Sequence, residues 1–193
     1  MMKGWYSRGY LPHFDGGEIL QFITLHLADA VPKAIVEKWK IELASEKEEI
    51  AQKILFWRIE KFADQGCGAC YLQRPEIADV IRNSLLYFHN EKYNLIAWVI
   101  MPNHIHFLMR PAEDQILEKI MHSIKSFTAQ KANKLLNRKG QFWQEDYFDR
   151  YIRNYEHYEK TVNYIEFNPV KAKLCEKQSD WFFSSAFIKQ SEP

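Results

Sequence analysis

The sequence predicts an α+β domain, a ferredoxin-like split βαβ core whose antiparallel sheet carries helices on one face. Three observations carry this. Short apolar or alternating runs occupy residues 19–27, 93–101 and 104–110, a strand-like pattern; helical spacing fills the interval between the first and second runs and returns after the third; and the second and third runs are separated only by Pro102-Asn103, a tight turn. The order strand, helix, helix, strand, strand, helix, strand, helix fits that core with additions. A chain of 193 residues is sized for one domain, taken as 1–193 with an N-terminal arm at 1–17 and a C-terminal tail at 170–193.

The elements follow in order. Residues 1–17 mix rings, Arg8, Pro12 and Gly16-Gly17 without a period and read as an arm or loop. Residues 19–27 read as a strand buried on both faces or nearly so. Pro32 can open a helix, and Val36, Trp39, Ile41 and residues 43–58 keep a helical pattern laced with charge. Gln65-Gly66-Cys67-Gly68 breaks it, and Arg74-Pro75-Glu76 starts an amphipathic helix through Ile77, Val80, Ile81, Leu85 and Phe88. The hairpin of strands 93–101 and 104–110 comes next. Ile116, Leu117, Ile120, Met121, Ile124 and Leu135 then mark a helix expected to stop near Gly140. Residues 141–152 form a further strand candidate. Asn154 can cap a last helix running to Asn168 and stopping at Pro169.

Composition limits the function classes. The formal charge is +1, so any contact with a polyanion must rest on local charge. Three cysteines, two of them in Cys67-Gly-Ala-Cys70, make no disulfide framework, and one Cys-x-x-Cys without a second is at most half of a zinc site. The start MMKGWYSRGYLP lacks the apolar core of a signal peptide, and residues 93–109 are too interrupted by Asn, Pro and His to span a membrane. The expected setting is cytoplasmic, with no membrane partner.

His104 and His106 carry the first chemical signal. Two residues apart in a strand, they point to one face while Ile105 and Phe107 point to the other, which is the geometry for two imidazoles on one divalent ion. The alternative is a pair of hydrogen-bonded sheet histidines. Two ligands are too few for zinc, and magnesium prefers oxygen, so a third must come from elsewhere. The last helix offers one: His157, Thr161, Tyr164 and Asn168 form a stripe at its docking edge, which makes Tyr164 a candidate nucleophile and Asn168 a candidate oxygen ligand beside it. The other reading is a buried tyrosine and an asparagine closing the helix.

These residues carry a resemblance. MPNHIHFLMR resembles the HUH motif (His, hydrophobic, His) of single-tyrosine, insertion-sequence type DNA transposases and nucleases. GQFWQEDYFDRYIR, followed by YIEFNPVKAKL and DWFFSSA, resembles the REP-associated tyrosine transposase branch, whose arm often reads much like GWYSRGYLPHFD; the similarity runs from about Gly4 to Ala186. It implies a metal-dependent single-strand DNA endonuclease and strand transferase that acts on REP-type hairpins through a covalent 5′-phosphotyrosine and leaves a 3′-hydroxyl. The cofactor implied is Mg²⁺ or Mn²⁺. The HUH strand would be central in the sheet, with His104 and His106 on the metal and Tyr164 as nucleophile. Asn168 stands where insertion-sequence relatives carry a glutamine as third ligand. The preceding helix, with IKSFTAQKAN, offers Phe127 and no tyrosine; Tyr147, Tyr151, Tyr155 and Tyr158 rank below Tyr164. The expected assembly is a monomer, with a homodimer open. Two rivals stand beside this reading: a catalytically inactive DNA-binding protein of the same fold, and a metal phosphodiesterase in which water attacks.

DNA contacts are expected at three places. Lys125, Lys131, Lys134, Arg138 and Lys139, with Lys119, form a basic run without acidic residues. Arg150 and Arg153 flank the rings of Trp143, Tyr147 and Tyr151, which serve either as stacking surfaces or as core. Trp5, Arg8 and Tyr10 of the arm can reach bases or pack on the domain. Glu166 and Asp149 are acidic groups near the expected chemistry.

Overall fold

The computed structural model describes the backbone at residues 4–7, 12–15 and 17–191, and side chains at 17–188. The main sheet has four strands, β3 (Gln21–His26), β4 (Tyr93–Ile100), β5 (His104–Pro111) and β6 (Phe148–Tyr151), in the order β4-β5-β3-β6 with every neighbour antiparallel. This is the expected split βαβ sheet, and the His-x-His strand is central in it. Two shorter strands, β1 (Gly4–Ser7) and β2 (Pro12–Asp15), pair as a hairpin in the segment read as an arm or loop.

Pleat and register sort the core into two layers. Ile23, Leu25, Ile105, Phe107 and Met109 face helices α3 (Pro75–Tyr87) and α4 (Leu117–Leu135). The opposite face carries Phe22, Val99 and Leu108 with the histidines, and α5 (Tyr155–Lys171) covers it through Ile165, Val162 and Tyr158. The two helices of the core motif thus share one face, and α5 is an addition on the other. A bulge in β4 keeps both faces apolar. The register shifts between Leu95 and Ala97, so Leu95 packs with the α3/α4 layer and Ala97 with the histidine layer although both have odd numbers.

The helical stretch after Pro32 is two helices, α1 (Lys33–Glu42) and α2 (Glu48–Ala63). The apolar period runs across the polar turn between them, so spacing alone merged them. Further helix ends also differ from expectation. α4 stops at Leu135, because Asn137 adopts a left-handed φ of 48° and Arg138 N–H donates back to Asn133 O at 2.9 Å. α5 continues through Pro169 to Lys171: a proline in the last turn removes one bond, and the helix goes on with Ala172 N–H donating to Asn168 O. Asn154 does cap α5, accepting from His157 N–H at 2.8 Å.

The strand expected over 141–152 is confined to β6, preceded only by a bridge from Trp143 to Leu27. After α5 the chain returns to the sheet edge. Ile100 N–H donates to Phe183 O, Trp181 Nε1 donates to Ile100 O, and α6 (Ser185–Ser191) begins with Ser185 Oγ accepting from Trp98 N–H. No helix among the described residues is long and apolar enough to cross a membrane.

Candidate metal and tyrosine site

β3 and β5 build the floor of the site. Their register pairs Thr24 with His106 and His26 with His104, so four polar side chains share one patch of the same sheet face. His104, His106 and Thr24 are fully buried, and His26 nearly so. α2 supplies the roof: Phe56 packs on Phe22 and Phe148, and one turn later Glu60 descends onto the imidazoles.

Glu60 is fully buried and faces three polar groups. Its Oε1 lies 3.1 Å from His26 Nε2, its Oε2 lies 3.1 Å from His106 Nε2, and Oε2 accepts the Tyr164 hydroxyl at 2.6 Å. Burial alone would raise the Glu60 carboxyl, but the adjoining imidazoles, His106 first, outweigh it and hold it well below the usual carboxylate range. Burial, then His106, keep His104 well below the ordinary imidazole value, so its ring is neutral at pH 7. Burial, then the Glu60 charge, push the Tyr164 phenol far above its ordinary value.

The ring nitrogens have distinct partners. Thr24 Oγ1 lies 2.9 Å from His106 Nδ1 and Asn103 Oδ1 lies 2.7 Å from His104 Nδ1, leaving both Nε2 atoms aimed inward. Nε2 of His26, His104 and His106, Oε1 of Glu60 and Oδ1 of Asp64 are all buried without a hydrogen bond of good geometry. An unpaired buried polar atom costs about 1–3 kcal/mol, a cost that a cation held among such atoms would remove. Imidazoles with a carboxylate suit a divalent ion. Glu60, His104 and His106 offer ligand atoms within 4.8 Å of one another, and no other group of three His, Cys, Asp or Glu side chains among the described residues does so.

α5 brings its stripe to the same place. The Tyr164 ring lies 5.2 Å from that of His106 and 5.8 Å from that of Phe22, with Lys171 Nζ 5.6 Å from its centroid. Asn168, one turn on, is fully buried with neither amide atom in a hydrogen bond. Lys171 pairs with Asp64 at 2.9 Å, and the other Asp64 oxygen is 3.9 Å from His104 Nε2.

The expected DNA-contacting residues divide by face. Arg150 is paired with Phe22 across β3 and β6 and therefore projects from the histidine face, with Arg153 beyond it, 5.5 Å from the Tyr151 ring. The basic residues of α4 are on the other side of the sheet. Lys125 is folded onto Gln144 O and Glu145 O, and burial lowers its pKa; Lys131 lies 5.6 Å from the Phe127 ring; Arg138 donates to Gln141 O; Lys134 and Lys139 are exposed. Trp143 is core, donating to Thr128 Oγ1. Asp149 is opposite Ile23 and points away from the histidines, and Glu166 accepts from Ser185 Oγ. Cys67, Cys70 and Cys175 are free thiols. Arg8 and Tyr10 lie outside the described residues, and of Trp5 only the backbone, in β1, is described.

Glu60, His26 and Asp64 are the site residues that the sequence reading missed. A signal for Glu60 existed: it is four residues after Phe56 and three before Ala63, a charge on the apolar stripe of an amphipathic helix.

The family model for IS200-like transposases matches residues 74–168, from the first turn of α3 through the hairpin and on to Tyr164 and Asn168. Over that segment the chain is similar to the IS200-like transposases. A REP-associated tyrosine transposase of Escherichia coli K12 is 29% identical over 109 residues, covering 55% of this chain and 62% of the relative. A protein named as the same kind of transposase in Haemophilus influenzae is 30% identical over 103 residues, covering 48% of this chain and 58% of the relative. The chain thus matches about three-fifths of the length of these relatives. A solved REP-associated tyrosine transposase bound to a REP hairpin superposes with a TM-score of 0.57 at 19% identity, over 97% of this chain and 85% of that one, which is a likeness of fold.

Proposed function

We propose that this chain is an IS200-like transposase, a metal-dependent endonuclease and strand transferase for single-stranded DNA, acting on REP-type hairpins through a covalent 5′-phosphotyrosine at Tyr164. The observation that carries the reading is the Tyr164 hydroxyl lying against the buried Glu60, His104 and His106 group. The hairpin held by the structural relative and the names of the two curated relatives support the choice of DNA.

His104, His106 and Glu60 would hold the ion, and Asn168 is a further buried oxygen donor beside them. When bound, Mg²⁺ or Mn²⁺ polarises a phosphoryl oxygen and stabilises the charge that develops during attack. Tyr164 Oη forms the new bond to phosphorus as the bond to the 3′-oxygen breaks. The phenol proton passes to Glu60 Oε2, which already accepts it as a hydrogen bond, and the departing 3′-oxygen takes a proton from solvent. The phosphotyrosine stores the bond energy, so the strand can be resealed or transferred without a nucleotide cofactor. Arg150, on the same sheet face, and Arg153, just after the strand, supply phosphate contacts beside the site.

The test mixes the purified protein with end-labelled single-stranded hairpin DNA and Mg²⁺ or Mn²⁺ and reads a denaturing gel. The expected result is a denaturation-resistant adduct, lost in chelator and in His106→Ala. Cleavage without an adduct would put water attack in its place, and tight binding without cleavage would favour the inactive DNA-binding protein.

A further inference from the structure

We infer that Asn103 is a positioning residue for the metal site: its amide fixes the tautomer of His104 and ties that ring to the end of the helix that carries Glu60. The inference rests on the reading of His104 as a ligand, and its observations are independent of the DNA chemistry.

Asn103 is fully buried in the turn between β4 and β5. Its Nδ2 donates to Ala63 O at 3.1 Å and to Cys67 O at 2.9 Å. Two carbonyl partners settle which amide atom is which, since a carbonyl accepts and only the NH₂ group can donate to it. Oδ1 is therefore the atom 2.7 Å from His104 Nδ1. An amide oxygen cannot donate, so His104 Nδ1 carries the proton and Nε2 presents its lone pair toward the Glu60 and Asp64 side of the site.

Thr24 imposes no such choice on His106, because a hydroxyl both donates and accepts. Of the two Nδ1 partners, Asn103 alone dictates a tautomer. The same side chain is also a clamp. Ala63 is the last residue of α2, Glu60 is one turn back and Asp64 is next, so the bond to Ala63 O joins the carboxylates of α2 to the strand of the histidines. Asn103 O further accepts Leu27 N–H at 2.8 Å, which adds β3 to the junction. An outer partner of this kind orients a ligating imidazole and sets its basicity.

The experiment uses the full chain without metal, labelled with ¹⁵N at histidine, and reads the His104 tautomer by NMR; Mn²⁺ affinity is then titrated with the metal alone. Wild type is expected to show His104 protonated on Nδ1. Asn103→Leu, which can neither accept nor donate there, is expected to lose that tautomer and to weaken Mn²⁺ about 10–100-fold. Asn103→Asp still accepts from Nδ1–H but cannot donate to the two carbonyls, so it should keep the tautomer even where it loses stability. A clamp with no hold on the ring would leave Asp and Leu alike. A wild-type His104 protonated on Nε2 overturns the inference outright, even if Asn103→Leu fails to fold, as does Asn103→Leu with tautomer and Mn²⁺ affinity unchanged. Absence of any DNA adduct in wild type would instead sink the proposed function and leave this result standing.

Discussion

Tyr164 holds its hydroxyl against a carboxylate rather than toward solvent, and that contact shapes what single substitutions should do. Tyr164→Phe removes one hydrogen bond to a group that keeps two imidazole neighbours, so it should abolish the DNA adduct while lowering stability by only about 1–3 kcal/mol, measured by urea unfolding. Glu60→Gln keeps the shape and removes the charge. It should weaken Mn²⁺ binding by tenfold or more in a direct titration while the chain stays folded; unchanged affinity would remove Glu60 from the ligand set. The depressed groups also give the metal-free protein a direction with pH. The unfolded chain takes up a proton on His104 below its ordinary pKa of ~6.5 that the folded chain resists, so stability falls as pH drops below that value. Glu60, also depressed in the folded chain, adds a further loss as pH falls below the ordinary carboxylate pKa of ~4.3. Urea midpoints at pH 7.5, 5.5 and 4 in chelator should decrease in that order. His104, His106, Tyr164 and Asn168 were legible because each pair is spaced within one element, where the strand and helix periods say what shares a face. Glu60, His26 and Asp64 were not, because their meeting with the β5 histidines is fixed by how α2 and β3 pack, which no local period encodes.

At the scale of elements, α2 depends on its aromatic anchor to bring Glu60 down. Phe56 stacks on Phe148 with centroids 4.0 Å apart and meets Phe22 edge-on. Phe56→Ala should cost about 3–5 kcal/mol in unfolding free energy and weaken Mn²⁺ binding along with it, although the residue touches no ligand nitrogen. The strands of the hairpin were readable from their apolar or alternating runs and their turn from Pro102-Asn103. The separate α1 and α2 were not, since the apolar period bridges their turn, and the end of α4 was misread because Asn137, rather than Gly140, takes the left-handed turn nearest the helix. Faces matter for DNA as well. Sequence alone ranks the basic run of α4 with Arg150 and Arg153, whereas the register of β6 on β3 puts Arg150 on the histidine face and the α4 packing puts Lys131 and Lys134 on the other. Neutralising Arg150 and Arg153 together should lower the slope of log affinity against log salt by up to about 2 for hairpin DNA, and neutralising Lys131 and Lys134 should change it less.

At the scale of the whole molecule, the sheet separates two tasks. Its α3/α4 face holds the larger apolar cluster, and its other face interrupts apolar packing with a buried His/Glu group that costs stability unless something completes it. The order of the split βαβ sheet followed from the element sequence, but the covering of the histidine face by α5, and the return of the C-terminal segment to the β4 edge, depend on contacts distant in sequence. The proposed chemistry of this face runs through Tyr164. The most direct measurement is to form the DNA adduct, digest it with trypsin and nuclease, and locate the nucleotide by mass spectrometry. Cleavage after Lys160 and Lys171 isolates TVNYIEFNPVK, so a nucleotide on that peptide, at its single tyrosine, is the result this account predicts. A nucleotide on the peptide holding Tyr155 and Tyr158, or DNA cleaved with no modified peptide at all, would contradict it.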